Sequence, residues 1–126
     1  MSNLKISETK STPEVLGDFE NGTLEIRGNC FPENSILFFE ELLNWMDLLS
    51  NSNLNKFILN CELNYIASSS VMHFYKLMQK TEQIFSADKI EITWKYEEDD
   101  EDIQNLGEEF KKLISGEVNL IPITSN

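Results

Sequence analysis

Between Lys56 and Tyr96 the chain changes its hydrophobic period twice, and few folds accept such a segment. Phe57, Ile58, Leu59, Cys61 and Leu63 make a short run that is apolar on both faces, as a central strand requires. Val71, Phe74, Tyr75, Met78 and Phe85 then recur at helical spacing as far as Ser86-Ala87-Asp88. From Lys89 the period returns to two, with Ile90, Ile92, Trp94 and Tyr96 alternating with Lys89, Glu91, Thr93 and Lys95. Strand, helix and strand in that order predict a βαβ unit with parallel strands and a right-handed crossover. Trp94 shares the parity of Ile90 and Ile92, which puts it in the core.

The flanks extend this unit. Residues 1–12 are polar, with one short edge strand around Leu4-Lys5-Ile6. Pro13 to Phe19 and Thr23 to Gly28 flank Glu20-Asn21-Gly22, and Asn-Gly between strand-like runs predicts a hairpin with a type I′ turn. Gly28 breaks the second of these strands. Pro32 and Glu33 suit the first turn of a helix, whose buried stripe is Phe38, Leu42, Trp45 and Leu49, widened by Phe39, Leu43 and Met46. Asn51-Ser52-Asn53 ends it. A third helix is marked by Ile103, Leu106, Phe110 and Leu113, supported by a Glu108–Lys112 pair and stopped at Gly116. Val118 to Ile123 reads as a last strand, confined to an edge by Pro122. The expected architecture is α/β: one domain over residues 1–126, with a mixed sheet built from an N-terminal antiparallel hairpin plus the βαβ unit. Three main helices pack on it, and residues 1–12 and 115–126 are peripheral.

Charge and motif content exclude several functions. Twenty-two acidic against ten basic residues give a net charge of −12, which repels nucleic acid and anionic membranes and attracts a basic protein surface. No apolar run is long enough to span a bilayer, and Met1-Ser2-Asn3-Leu4-Lys5 is no signal-peptide start, so a cytoplasmic protein is expected. Cys30 and Cys61 fit no metal-ligand spacing and are too few for a disulfide framework; Cys61, in an apolar strand, reads as a buried reduced thiol. The acidic run Glu97-Glu98-Asp99-Asp100-Glu101-Asp102 lacks the spacing of a calcium loop and reads as a solvated helix start, not a metal site. Nucleophile elbow, Walker loop and dinucleotide fingerprint are all missing. The single histidine, His73, has no orienting partner in view and reads as structural. No catalytic residue, metal or cofactor is therefore expected.

What remains is the cluster Ser68-Ser69-Ser70, at the carboxyl end of a strand and the amino end of a helix, where α/β sheets tend to place ligands and modifications. One reading is a phosphorylation switch; the other is a serine-rich helix cap, with Ser68 at the N-cap and Ser69 and Ser70 in the first turn. A phosphate adds roughly −1.5 to −2 charges and three acceptor oxygens. At a helix start it leaves the fold intact and changes what the surface binds. Two readings from other classes stand beside the switch: a small metal- or Ser-dependent enzyme, and a constitutive scaffold.

Several segments together carry a family resemblance. Gly28 to Asn34 with Phe38-Phe39, the strand with Tyr65-x-x-Ser68-Ser69-Ser70, and Ile92-Thr93-Trp94-Lys95-Tyr96 with the acids that follow and Gly107-Glu108-Glu109-Phe110 resemble the SiaC family of bacterial regulatory phosphoproteins. The resemblance covers about residues 13–114. It implies a STAS-like fold, reversible phosphorylation by a partner protein kinase and a PP2C-type phosphatase, and binding and activation of a diguanylate cyclase by the unphosphorylated form. That ties the chain to cyclic di-GMP and biofilm behaviour. Aligned on Tyr65, Ser68 stands where the family has its modified Thr, Ala67 where it has Asn, and Val71-Met72 where Lys is usual. The resemblance thus implies Ser68 as phosphoacceptor, with Ser69 and Ser70 as alternatives, and partner contacts at Asn64, Tyr65, Ser69, Ser70, Pro32, Glu33 and Asn34. A paralogue that keeps the scaffold and has lost the switch is the alternative.

Overall fold

The computed structural model describes residues 3–124. Six strands, β1 (Leu4–Ile6), β2 (Glu14–Asp18), β3 (Thr23–Cys30), β4 (Phe57–Ile66), β5 (Ile90–Glu97) and β6 (Glu117–Ile123), form one sheet in sequential order. Helices α1 (Ser35–Leu49), α2 (Ser68–Ile84) and α3 (Glu101–Leu113) complete the α/β fold. β1, β2 and β3 pair antiparallel, and β3, β4, β5 and β6 pair parallel. The expected βαβ unit is present as the middle one of three, because α1 also joins parallel neighbours and so does α3.

Register shows why the helices share one face. Val15, Ile26, Cys61, Trp94 and Leu120 lie side by side across five strands, and Gly17, Leu24, Leu59, Ile92 and Val118 form the next row. Trp94 meets Phe74 of α2 and Phe110 of α3 edge to face, with centroids 6.2 and 5.3 Å apart. A side chain at Gly17 would run into Trp45 of α1, so α1 packs on the same side. These rows hold the core, with Phe39, Leu42, Met46, Leu77 and Met78 from the helices buried against them. The opposite face is polar: Glu14, Arg27, Glu62 and Lys95 share a row, with Arg27 and Glu14 paired at 3.2 Å. β4 is therefore central but not apolar on both faces, since Asn60 and Glu62 point away from the helices and are half-buried.

Several local expectations are corrected. The hairpin turn is not type I′, which needs positive φ at both central residues; Gly22 has φ 69° and no non-glycine residue described has a positive φ. Instead Gly22 N–H bonds the Asp18 carbonyl at 2.9 Å, and the Asp18 carboxylate accepts from Asn21, giving a longer loop. Those bonds favour the ionised form and hold the Asp18 pKa below its usual value. β3 runs through Gly28 to Cys30, because Gly28 adopts φ 123° and stays in the ladder. Lys112 pairs with Glu109 at 3.6 Å instead of Glu108. α3 ends at Leu113 with Ile114 as its C-cap, before Gly116. The segments expected as peripheral contribute Leu4 and Val118 to the core; residues 1, 2, 125 and 126 lie outside the described residues.

Trp94 also donates its indole N–H to the Ile103 carbonyl at 2.9 Å. Trp94→Ala should cost about 3–5 kcal/mol in urea unfolding, as a large aromatic deletion does. Trp94→Phe should cost about 1–3 kcal/mol, because it strands a buried carbonyl. A Phe variant as stable as the parent would show that the bond adds nothing. Gly107 lies where a Cβ would collide with the Trp94 indole and with Leu120. Gly107→Ala should accordingly destabilise by about 1–3 kcal/mol from overpacking, although alanine is the better helix former by about 1 kcal/mol. An increase in Tm would mean that the indole moves freely.

Candidate functional site

The parallel β3–β4 pair places Cys30 beside Ile66, so the two following segments leave the sheet from one edge. Ala67 N–H bonds the Cys30 carbonyl at 2.9 Å, which fixes the chain immediately before the serines. α2 begins at Ser68, and its N-cap is Ala67, with no side-chain cap bond. This corrects the expectation for Ser68: it is the first helical residue, not the cap. Ser68 and Ser69 are exposed, whereas Ser70 is completely buried. Ser70, expected as an alternative phosphoacceptor and a partner contact, is withdrawn from the surface because it falls on the helix face of Phe74, Leu77, Met78 and Thr81. That spacing was readable in the sequence and is the signal that would have placed it.

Ser70 Oγ makes no hydrogen bond among the described residues and lies beside the Cys30 thiol. Burial pushes that thiol above its usual pKa. Burial pushes Cys61 up much further. Neither thiol carries thiolate character at neutral pH. His73 is half-buried, with its ring stacked on Phe39 at 5.1 Å, as a structural residue would be.

Pro32 and Glu33 precede α1 and do not enter its first turn; Asn34 is the N-cap, accepting from Leu37 N–H at 3.0 Å. Glu33 and Asn34 are exposed and Pro32 is half-buried. The pairing of β3 with β4 shifts after Gly28: Gly28 sits opposite Leu63, but Asn29 sits opposite Tyr65. Asn64 is therefore an extra residue, a bulge that turns Tyr65 out of the helix-facing parity of Cys61 and Leu63. Tyr65 is 54% exposed and stands edge to face with Phe31 at 5.6 Å. Asn64 is exposed beside it.

Sequence reasoning missed the apolar residues of this edge. Phe31, Ile36, Leu37, Tyr65 and Met72 are exposed, Tyr65 near the carboxyl end of β4 and the others on the segments that follow β3 and β4. α1 and α2 pack side by side there, with Phe39 against Phe74 at 5.2 Å. Ser68 and Met72, one turn apart, share the outer side of α2. Clustered exposed apolar side chains mark interaction surfaces. Leu37 and Met72 lie opposite their helices' buried stripes, a signal that was available. Among the described residues no group of three or more His, Cys, Asp or Glu is arranged to hold a metal ion, and no helix is long and apolar enough to cross a membrane.

Ser68 thus presents an exposed hydroxyl at the start of α2, on the same edge as the exposed Phe31, Ile36, Leu37, Tyr65 and Met72. The SiaC family profile, described as SiaC family regulatory phosphoprotein, matches residues 6–123, and the chain belongs to that family. It is 28% identical over 113 residues to an uncharacterized protein of Pseudomonas aeruginosa strain UCBPP-PA14, covering 89% of this chain and 90% of that one. Apo-SiaC from Pseudomonas aeruginosa superposes with a TM-score of 0.81 at 28% identity, over 96% of this chain and 99% of that one. A second crystal structure, of the diguanylate cyclase SiaD in complex with its activator SiaC from the same organism, matches with a TM-score of 0.87 at 26% identity. There the match covers 95% of this chain and 99% of the other.

The geometry separates Asn34 from Ser68, two polar residues at helix starts, of which only Asn34 makes a cap bond. Ser68→Ala removes no cap bond and should change stability by less than about 0.5 kcal/mol. Asn34→Ala removes one and should cost about 0.5–2 kcal/mol. Chemical denaturation of both variants checks this, and equal losses would return Ser68 to a capping role.

Proposed function

We propose that this chain is a non-catalytic regulatory protein that binds and activates a diguanylate cyclase when Ser68 is unmodified and releases it when Ser68 is phosphorylated. A partner kinase adds the phosphate and a PP2C-type phosphatase removes it. The observation that carries the reading is the exposed Ser68 hydroxyl at the start of α2, among the exposed side chains of Met72, Ile36, Leu37, Phe31 and Tyr65. Similarity over nearly the whole chain to a SiaC that occurs in complex with a diguanylate cyclase supports the class of partner. Asn64, Tyr65, Ser69, Pro32, Glu33 and Asn34 border the same edge and serve as contacts.

The chemistry of the switch follows from the helix start. Ser70 N–H donates to the Ala67 carbonyl at 2.8 Å, helix starts leave other amides free for an anion, and the dipole favours one there by about 0.3–1 kcal/mol. The first turn of α2 holds no acidic residue that would repel a phosphate. Phosphorylation thus preserves the fold. It places a strongly hydrated dianion among side chains that must lose water to bind, and that cost falls on the complex alone.

Ser68→Ala and Ser68→Asp should fold equally well and differ in binding. In a pull-down and a cyclase assay with the diguanylate cyclase of the same organism, Ser68→Ala should bind and activate, and Ser68→Asp should do neither. Equal binding by both folded variants would remove Ser68 from the switch, and no binding by the unmodified parent would remove the cyclase as partner.

A further inference from the structure

β3, β4, β5 and β6 run parallel, and parallel sheets ordinarily have both faces covered. Here Trp45, Phe74 and Phe110 bring all three α-helices to one face, and none of them covers the other. On that bare face Glu14, Arg27, Glu62 and Lys95 stand directly opposite one another across β2, β3, β4 and β5. Their charges alternate negative, positive, negative, positive, so the row is its own complement when reversed. Glu14 and Lys95 lie three strands apart, about 14 Å, too far to pair within one chain. Arg27 and Glu14 do pair, at 3.2 Å, yet their side chains stay 54% and 34% exposed.

We propose that this face joins two copies of the chain about a two-fold axis running along the strands between β3 and β4. That axis sets Glu14 against Lys95 of the second copy and Arg27 against its Glu62, so every charge of the row meets an opposite one. Neighbouring placements clash. An axis on β3 opposes Glu14 with Glu62, one on β4 opposes Arg27 with Lys95, and one across the strands along this row opposes each charge with its own copy. The next row, Leu16, Glu25, Asn60 and Thr93, meets its mate without like charges. At the amino ends Asp18 comes opposite Glu91, whose charge Lys56 offsets at 3.0 Å. Aligned sheets pack about 10 Å apart with strands crossing at about 30°, a gap that Glu, Lys and Arg side chains bridge. Each copy carries −12, but a Debye length of about 8 Å at physiological salt screens that long-range repulsion more than it screens close pairs. The inference stands apart from Ser68 and goes beyond the function proposed above. Because the axis keeps strand direction, both copies present the start of α2 on the same side, where a two-fold partner can engage the two together.

The test is analytical ultracentrifugation of the full chain at about 150 mM salt. The parent should approach twice the chain mass as its concentration rises through the micromolar range. Glu14→Lys alone and Lys95→Glu alone should each weaken the dimer by about tenfold or more, because each sets like charges together at two places. Mixed in equal amounts, these two variants should pair with each other about as tightly as the parent does, since the reversed charges then face one another. No rearrangement within a single chain produces recovery on mixing. Thermal melts check that each variant is folded, and Arg27→Glu mixed with Glu62→Arg repeats the exchange at the inner pair if an outer variant is not. A parent that stays monomeric, single variants that dimerise as the parent does, or a mixture that fails to pair overturns the interface. A monomeric parent whose cyclase pull-down is lost on Lys95→Glu also overturns it, and assigns the face to the cyclase instead.

Discussion

The Trp94 indole is the contact on which the positions of two helices depend. Its faces and edges meet Phe74 of α2 and Phe110 of α3, and its N–H is spent on the carbonyl of Ile103. Ile103 is the third residue of α3, and its own N–H is held by Asp100. One buried ring thus fixes the start of α3 from inside while a surface carboxylate fixes it from outside. Gly107 lets the helix come close enough for this, since any side chain there would strike the ring. The acidic start of α3 is in this way set by the core.

Parallel pairing from β3 to β6 has a second consequence. α1, α2 and α3 each begin where a parallel strand ends, so their positive dipole ends gather along one edge of the sheet. The three ends are treated differently. Asp100, Glu101 and Asp102 supply α3 with negative charge. α1 has a neutral asparagine cap, and α2 has neither a capping side chain nor a first-turn acid. Neither α1 nor α2 has a first-turn acid, and α2, which carries the exposed serines, lacks a capping side chain as well. An added anion therefore meets a favourable field at Ser68 that it would not meet at α3.

Much of this was legible in the residues. The alternation of Ile90, Ile92, Trp94 and Tyr96 located β5 and the buried indole, and the apolar stripe of α1 was right because burial dictates side-chain type. The change of period located the strand that ends before the serines and the helix that begins with them. The bulge at Asn64 was not legible: adding one residue to one strand alters register without altering composition, yet it decides which way Tyr65 points. The Ala67 cap was missed because a serine before a helix looks like a cap whether it stands at the cap or one position later. Ser70 was misplaced because three identical residues were treated as one cluster, although a helix turns about 100° per residue and buries only one side.

The edge combines two surfaces of different character. The start of α3 is acidic, with Asp100, Glu101 and Asp102, whereas Met72 stands one turn beyond Ser68 and the exposed Ile36 and Leu37 open α1. On the proposed reading, a basic partner segment drawn to the acids would also be drawn to a phosphate on Ser68, so simple charge repulsion would not release it. A phosphate there would act instead through the apolar contact, where it must be stripped of water or held away, a cost that salt does not screen in the way it screens surface charge.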